Sequence, residues 1–161
     1  MEPTSSRPHM PGYGIAAAGD GRLLPWSWAT DRLGASHEFW LATVRPDGRP
    51  HVMPVWAVWT EGALWFSASP GSCKTRNLAV NPRVVMTTDN PHEPVIVEGD
   101  ARAVTEPERI SAFAGWVNVK YATEYPVEFF GENATFRVQP EWAFALDDSD
   151  FTGTPTRWTF P

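Results

Sequence analysis

Residues 40–86 read WLATVRPDGRPHVMPVWAVWTEGALWFSASPGSCKTRNLAVNPRVVM. Short apolar runs rich in β-branched and aromatic residues alternate there with turn residues. FWLATVR (39–45) reads as a strand, and Pro46-Asp47-Gly48-Arg49 as a turn in which Gly48 can take a positive φ. PHVMPVWAVW (50–59) is a second strand, and Pro54 within it predicts a bulge or an exposed edge. After the turn at 60–62, ALWFSA (63–68) is a third strand, so the three form an antiparallel meander. SCKTRNLAVN (72–81) is a short helix stopped by Pro82.

Working outward, residues 83–89 and 94–104 predict two more strands, the second bent at Gly99. Residues 105–121 predict the best helix. Thr105 and Glu108 suit a capping box, and Ile110, Phe113, Ala114, Val117 and Tyr121 keep a 3.6-residue period. Residues 135–146 predict a strand interrupted at Pro140, and 156–160 a terminal one. Upstream, residues 26–36 suit a short helix. Residues 1 to about 24 read as a flexible arm whose prolines and glycines leave no room for a regular element, which makes 25–161 the folded domain. Six or seven short antiparallel strands indicate a mainly β fold, and a small barrel removes the exposed edges of so many apolar strands.

Composition narrows the function. Thirteen Lys and Arg against nineteen Asp and Glu give a net charge of −6, a poor basis for holding nucleic acid. Hydrophobic residues at 42% exclude a disordered chain. The single Cys73 gives no disulfide framework, no apolar run approaches the ~20 residues of a membrane helix, and no basic start precedes Ile15–Ala18. A cytoplasmic protein is expected, with no nucleic acid and no membrane as partner. Sixteen prolines disfavour long helices. Nine tryptophans suit either a Trp-rich core and subunit interface or a cleft that receives a flat ring.

Two helix starts differ. The 105–121 helix opens with Glu106 and Glu108, which suit the positive end of a helix dipole. The 72–81 helix opens with Lys74 and Arg76 and no acid. Its free N–H groups, Ser72 and the two cations suit a phosphate, with Ser67 and Ser69 close by. The alternative is that both cations reach into water.

The ordered series of PDGRPH turn, following strand, FSAS, K-x-R-N-L helix, NPRV strand and RW-F terminus resembles the pyridoxamine 5′-phosphate oxidase-like superfamily, and within it the flavin/deazaflavin oxidoreductases. The resemblance runs from about Trp26 to the end. It implies a six-stranded antiparallel split β-barrel with two or three peripheral helices, a homodimer, and a flavin-type cofactor between subunits, either coenzyme F420 or FMN. Met53, Pro54, Val55 and Trp56 would then run along the ring. Phe66 and Ser67 would lie near the ribityl-phosphate end, Lys74 would hold the phosphate, and Arg76 and Asn77 would sit beside it. Trp142, Arg157 and Trp158 would come from the partner. Val52, Ala57 and Cys73 stand where pyridoxamine phosphate oxidases carry basic residues. That oxidation is therefore not expected, and F420 binding, loose FMN binding or lost catalysis remain.

The resemblance implies an oxidoreductase passing hydride to a flat or apolar small molecule. The alternative is a non-catalytic binder of a flavin, haem or similar flat anion. His9, His37, His51 and His92 lack metal-site spacing, and Asp148-x-Asp150 fails as a calcium loop at Thr152 and Thr159. Cys73 has no base in sequence reach, and Asn133-Ala134-Thr135 matches a sequon by chance.

Overall fold

Strand β3, Pro50–Thr60, changes partner midway. Residues 50–56 pair with β2 (Glu38–Val44), and residues 57–60 pair with β4 (Ala63–Ala68). The computed structural model, which describes residues 2–17, 19 and 22–161, builds the remaining sheet around this switch. Strands β5 (Arg83–Thr88), β6 (Val95–Val104) and β7 (Ala134–Ala145) close the circle β7-β4-β3-β2-β5-β6, with β6 pairing back onto β7. The result is a closed six-stranded antiparallel barrel. Strand β8 (Thr156–Thr159) extends it from the C-terminal half of β7. The N-terminal segment, expected to hold no regular element, adds β1 (Thr4–Ser6) along the edge that β8 would otherwise leave bare.

Helix α1 (Trp26–Ala35) follows the arm, α2 (Cys73–Val80) follows β4, and α3 (Pro107–Tyr121) and α4 (Val127–Glu132) lie between β6 and β7. The α4 helix has no counterpart in the sequence reading. The expected Thr105 capping box does not form. Pro107 occupies the first turn and Glu106 the N-cap, where its carboxylate takes the Thr105 N–H at 3.1 Å. A residue before proline avoids helical backbone, so the helix cannot start earlier.

Period-2 alternation divides the apolar side chains into two cores. Phe39, Leu41, Leu64, Phe66, Met86, Val97 and Val138 fill the barrel. Trp26 of α1 closes that core with edge contacts to Trp59, Trp158 and Phe160. Outside the barrel, Trp65 packs beneath Phe113, Ala114 and Val117 of α3. Strand β4 is therefore buried on both faces, with Phe66 inward and Trp65 outward. Six of the tryptophans (Trp26, Trp28, Trp59, Trp65, Trp116 and Trp158) serve these two cores.

Two backbone positions are tightly prescribed. Glu61 and Gly62 both have positive φ, 51° and 67°, the pattern of a two-residue hairpin turn. At Gly99 the β6–β7 register shifts after Glu98, so that Gly99 faces Pro140. Strand β7 runs on through Pro140 instead of breaking there. A Cβ at Gly99 would lie 2.0 Å from the Gln139 carbonyl oxygen. Gly99→Ala is expected to cost about 2 kcal/mol or more, because backbone rather than a flexible side chain must give way. Urea denaturation of both proteins measures it.

Candidate functional site

The switch in β3 leaves residues 50–56 hydrogen-bonded to β2 alone, so their other edge is free. A cleft of about 340 Å³ opens there. Pro54, Val55 and Trp56 form its floor, Phe113 and Val117 of α3 one wall, and Tyr125, Phe129 and Phe130 the outer wall. Ser67, Ser69, Lys74 and Asn133 make its polar end.

Each wall has a local cause. Trp56 is 42% exposed, yet one ring face lies flat on Tyr121, 4.2 Å between centroids and 4° from parallel. The stack fixes the indole, and the ring borders the cleft. Tyr125 and Phe129 stack at 4.7 Å, with Phe130 edge-on to Phe113 beneath. At the polar end, Ser72 caps α2 by accepting the Thr75 N–H at 3.3 Å. Lys74 follows on the first turn and makes no hydrogen bond or ion pair among the described residues; the Ser67 and Ser69 hydroxyls are likewise free among them. His51 is shifted below its usual pKa by burial first, then by Arg45 and Lys74. Lys74 therefore brings a positive charge, unpaired among the described residues, to that end of the cleft.

The structure brings together Pro54, Val55, Trp56, Ser67, Ser69 and Lys74 of the residues singled out from sequence. Val55 is 8% exposed, so it offers mainly backbone. Others are used elsewhere. Phe66 is fully buried inside the barrel, and Trp158 is 1% exposed against Trp26, so neither side chain is open to a ligand. Asn77 is 2% exposed and donates from Nδ2 to the Thr43 hydroxyl at 2.9 Å, tying α2 to β2. Ser72 is engaged as the cap, and Arg76 folds back to donate to the Gly71 carbonyl at 2.6 Å. Met53, Trp142 and Arg157 do not line the cleft; Met53 is 42% exposed, and Trp142 and Arg157 stand on the outer sheet face. His51 contacts the Thr43 hydroxyl at 3.4 Å rather than the cleft. Sequence reasoning missed Tyr125, Phe129, Phe130 and Asn133. Their signal was the aromatic run after Tyr125-Pro126, where a proline sets the N-cap of α4.

Lys120, one of only two lysines, lies near the end of α3 beside Tyr121. Its Nζ donates to the Ala57 carbonyl at 2.7 Å and lies 5.1 Å from the Phe39 ring centre. Burial lowers its pKa to about 8, against the opposing pull of Asp89 and Glu38.

A barrel with an open strand edge, an aromatic wall and a cationic helix start defines a split-barrel protein of the flavin-binding type. The pyridoxamine 5′-phosphate oxidase profile matches residues 29–147, and the chain belongs to that family. A solved F420 reductase is 32% identical, with 68% of this chain and 90% of that one covered, at a TM-score of 0.57. The conserved hypothetical protein Rv2991 from Mycobacterium tuberculosis is 25% identical over 81% of this chain and 88% of its own, at a TM-score of 0.71. An FAD-binding protein from Mesorhizobium loti, 21% identical with a TM-score of 0.61, shares the fold. No curated protein matches the chain. Among the described residues no helix is long and apolar enough to cross a membrane.

Because the folded pKa of Lys120 lies below its unfolded value of 10.5, the unfolded chain binds more protons between about pH 8 and 10.5. Its contribution to stability is therefore expected to rise with pH across that window. Comparing urea midpoints of the natural chain and Lys120→Met at pH 7.5 and pH 10 isolates the effect, and the variant is expected to show the flatter profile.

Proposed function

We propose that the cleft holds the phosphate-bearing ring cofactor of a flavin- or deazaflavin-dependent oxidoreductase, either coenzyme F420 or FMN. The observation that carries this reading is Lys74, a cation without a partner among the described residues, at the polar end of an otherwise apolar trough. When bound, such a cofactor supplies the ring that accepts or donates hydride. The chain's own residues bind, orient and exclude water. Lys74 with the hydroxyls of Ser67 and Ser69 frames the phosphate end. The open edge of β3 offers backbone N–H and C=O groups to the ring's polar rim, save at Pro54, which has no N–H. Trp56, held by Tyr121, gives one flat wall, and Val117 and Phe129 give apolar ones. A flat or apolar substrate suits the remaining space.

Pyridoxamine phosphate oxidation fits poorly. Ala57, aligned with a basic residue of those oxidases, is fully buried with its N–H taken by Tyr121. The F420 reductase relative favours the deazaflavin over FMN.

We also propose a homodimer. The outer sheet face carries Trp40, Val52, Val85, Ile96, Trp142 and Phe144, and Trp40 and Val52 are 47% and 51% exposed. A second copy would cover this apolar face and bring its Trp142 and Arg157 toward the cleft.

Lys74→Ala is expected to weaken cofactor binding by about one to two powers of ten, the worth of a charge-assisted bond to phosphate. Fluorescence titration with F420 and with FMN measures it. Unchanged affinity for both ligands removes the site, whereas FMN binding alone changes the cofactor. Trp40→Glu is expected to convert the dimer to monomer in light scattering without loss of the folded circular dichroism spectrum.

A further inference from the structure

Arg102 and Arg137 stand directly opposite each other on β6 and β7. Like charges in that register repel. Arg109, on the first turn of α3, meets Arg137 over Trp65: its guanidinium carbon lies 4.8 Å from the indole centre, and that of Arg137 lies 5.7 Å away. Three of the eleven arginines of a chain with net charge −6 therefore lie in one cluster, two of them over the indole. One acid answers them directly, as Glu61 accepts from Arg109 at 2.9 Å. Glu106 lies close enough to Arg109 to feel its charge, but it accepts the Thr105 N–H.

Arg137 is the telling member. It is half-buried, its Nε is shut from solvent without a hydrogen-bond partner, and no carboxylate pairs with it among the described residues. Burial first, then Arg109, with Arg102 adding to them, makes its charged form harder to hold, and Glu61 offsets this only in part. The indole face accounts for stacking a cation here. It does not account for gathering three, since each added cation meets the repulsion of the others.

We propose that Arg102, Arg109 and Arg137 form a binding site for a phosphoryl anion at the end of the barrel where the β3–β4 turn meets the start of α3. It shares no lining residue with the cleft. Guanidinium forks match phosphate oxygens two at a time, and a dianion relieves the Arg102–Arg137 repulsion. Trp65 gives the cluster a rigid floor, because it is fully buried and its indole N–H bonds to the Thr60 carbonyl at 3.3 Å.

The test uses inorganic pyrophosphate and the full-length chain. To silence the cleft, calorimetric titration compares Lys74→Ala with the double variant Lys74→Ala/Arg102→Gln. Arg102 is exposed on its strand, so its loss leaves the fold intact. The expected result is saturable binding to Lys74→Ala and an affinity about tenfold lower in the double variant, as for the loss of one charged bond. Thermal unfolding of Lys74→Ala is expected to shift upward with pyrophosphate beyond the shift in sodium chloride of equal ionic strength. Equal shifts in the two salts, or equal affinity in the two variants, overturn the site.

Discussion

The molecule depends on how one residue, Ala57, is satisfied. Strand β3 leaves β2 after Trp56 and joins β4 at Ala57, and a strand that changes neighbour leaves backbone groups at the joint. Two adjacent residues at the end of α3 meet that need. The Tyr121 hydroxyl accepts the Ala57 N–H at 2.8 Å and shares its one proton between the carbonyls of His37 and Ala57, at 2.7 and 3.0 Å. Lys120 adds a second donor to the Ala57 carbonyl. Without these bonds the joint would carry unsatisfied buried backbone, at about 1–3 kcal/mol for each group.

The same latch shapes the cleft. Placing the Tyr121 ring against the joint also places it flat under Trp56, so one side chain closes the strand switch and fixes the aromatic wall. Because β3 has not yet reached β4 at residues 50–56, its free edge is what the cleft exposes. The burial that lowers the pKa of Lys120 is thus a consequence of the barrel's construction. Lys74, half-buried at the start of α2 and free of any carboxylate among the described residues, has no such structural duty.

The strands were legible because each apolar run is short and bounded by turn residues, and the Gly99 bend because no other residue tolerates that approach to Gln139. Lys74 was legible from the missing acid in the first turn of α2, whereas Ser72, read as a phosphate contact, caps that helix. Local pattern could not assign side chains to faces once a strand was buried on both. Phe66 and Ser67 are neighbours in sequence, yet the first points into the barrel and the second into the cleft. Asn77 reads as a phosphate-side amide until Thr43, thirty-four residues away, takes its Nδ2. Strand β1 was hidden because its partner, β8, lies at the far end of the chain. The tryptophan excess left core and cleft both open, because composition cannot separate Trp26 and Trp158, which close the barrel, from Trp56, which borders the cleft.

Helix α3 links these features. Its start delivers Arg109 to the Trp65 cluster, its middle supplies Phe113 and Val117 to the cleft, and its end supplies Lys120 and Tyr121 to the strand switch. These are successive turns of one helix held on β3 and β4 by Trp65, Ala114 and Val117. A shift of that helix along its axis cannot be confined to one of them. Movement that opened the cleft at Val117 would strain the Tyr121 bonds to Ala57, and those bonds are buried, so they break at full desolvation cost. The cleft therefore varies more readily at the α4 wall. There Tyr125 and Phe129 are each 42% exposed and stack chiefly on one another, Phe129 on a six-residue helix and Tyr125 in the loop just before it. Specificity for what enters beside a bound ring is expected to reside in that wall, and the fixed geometry in the floor beneath it.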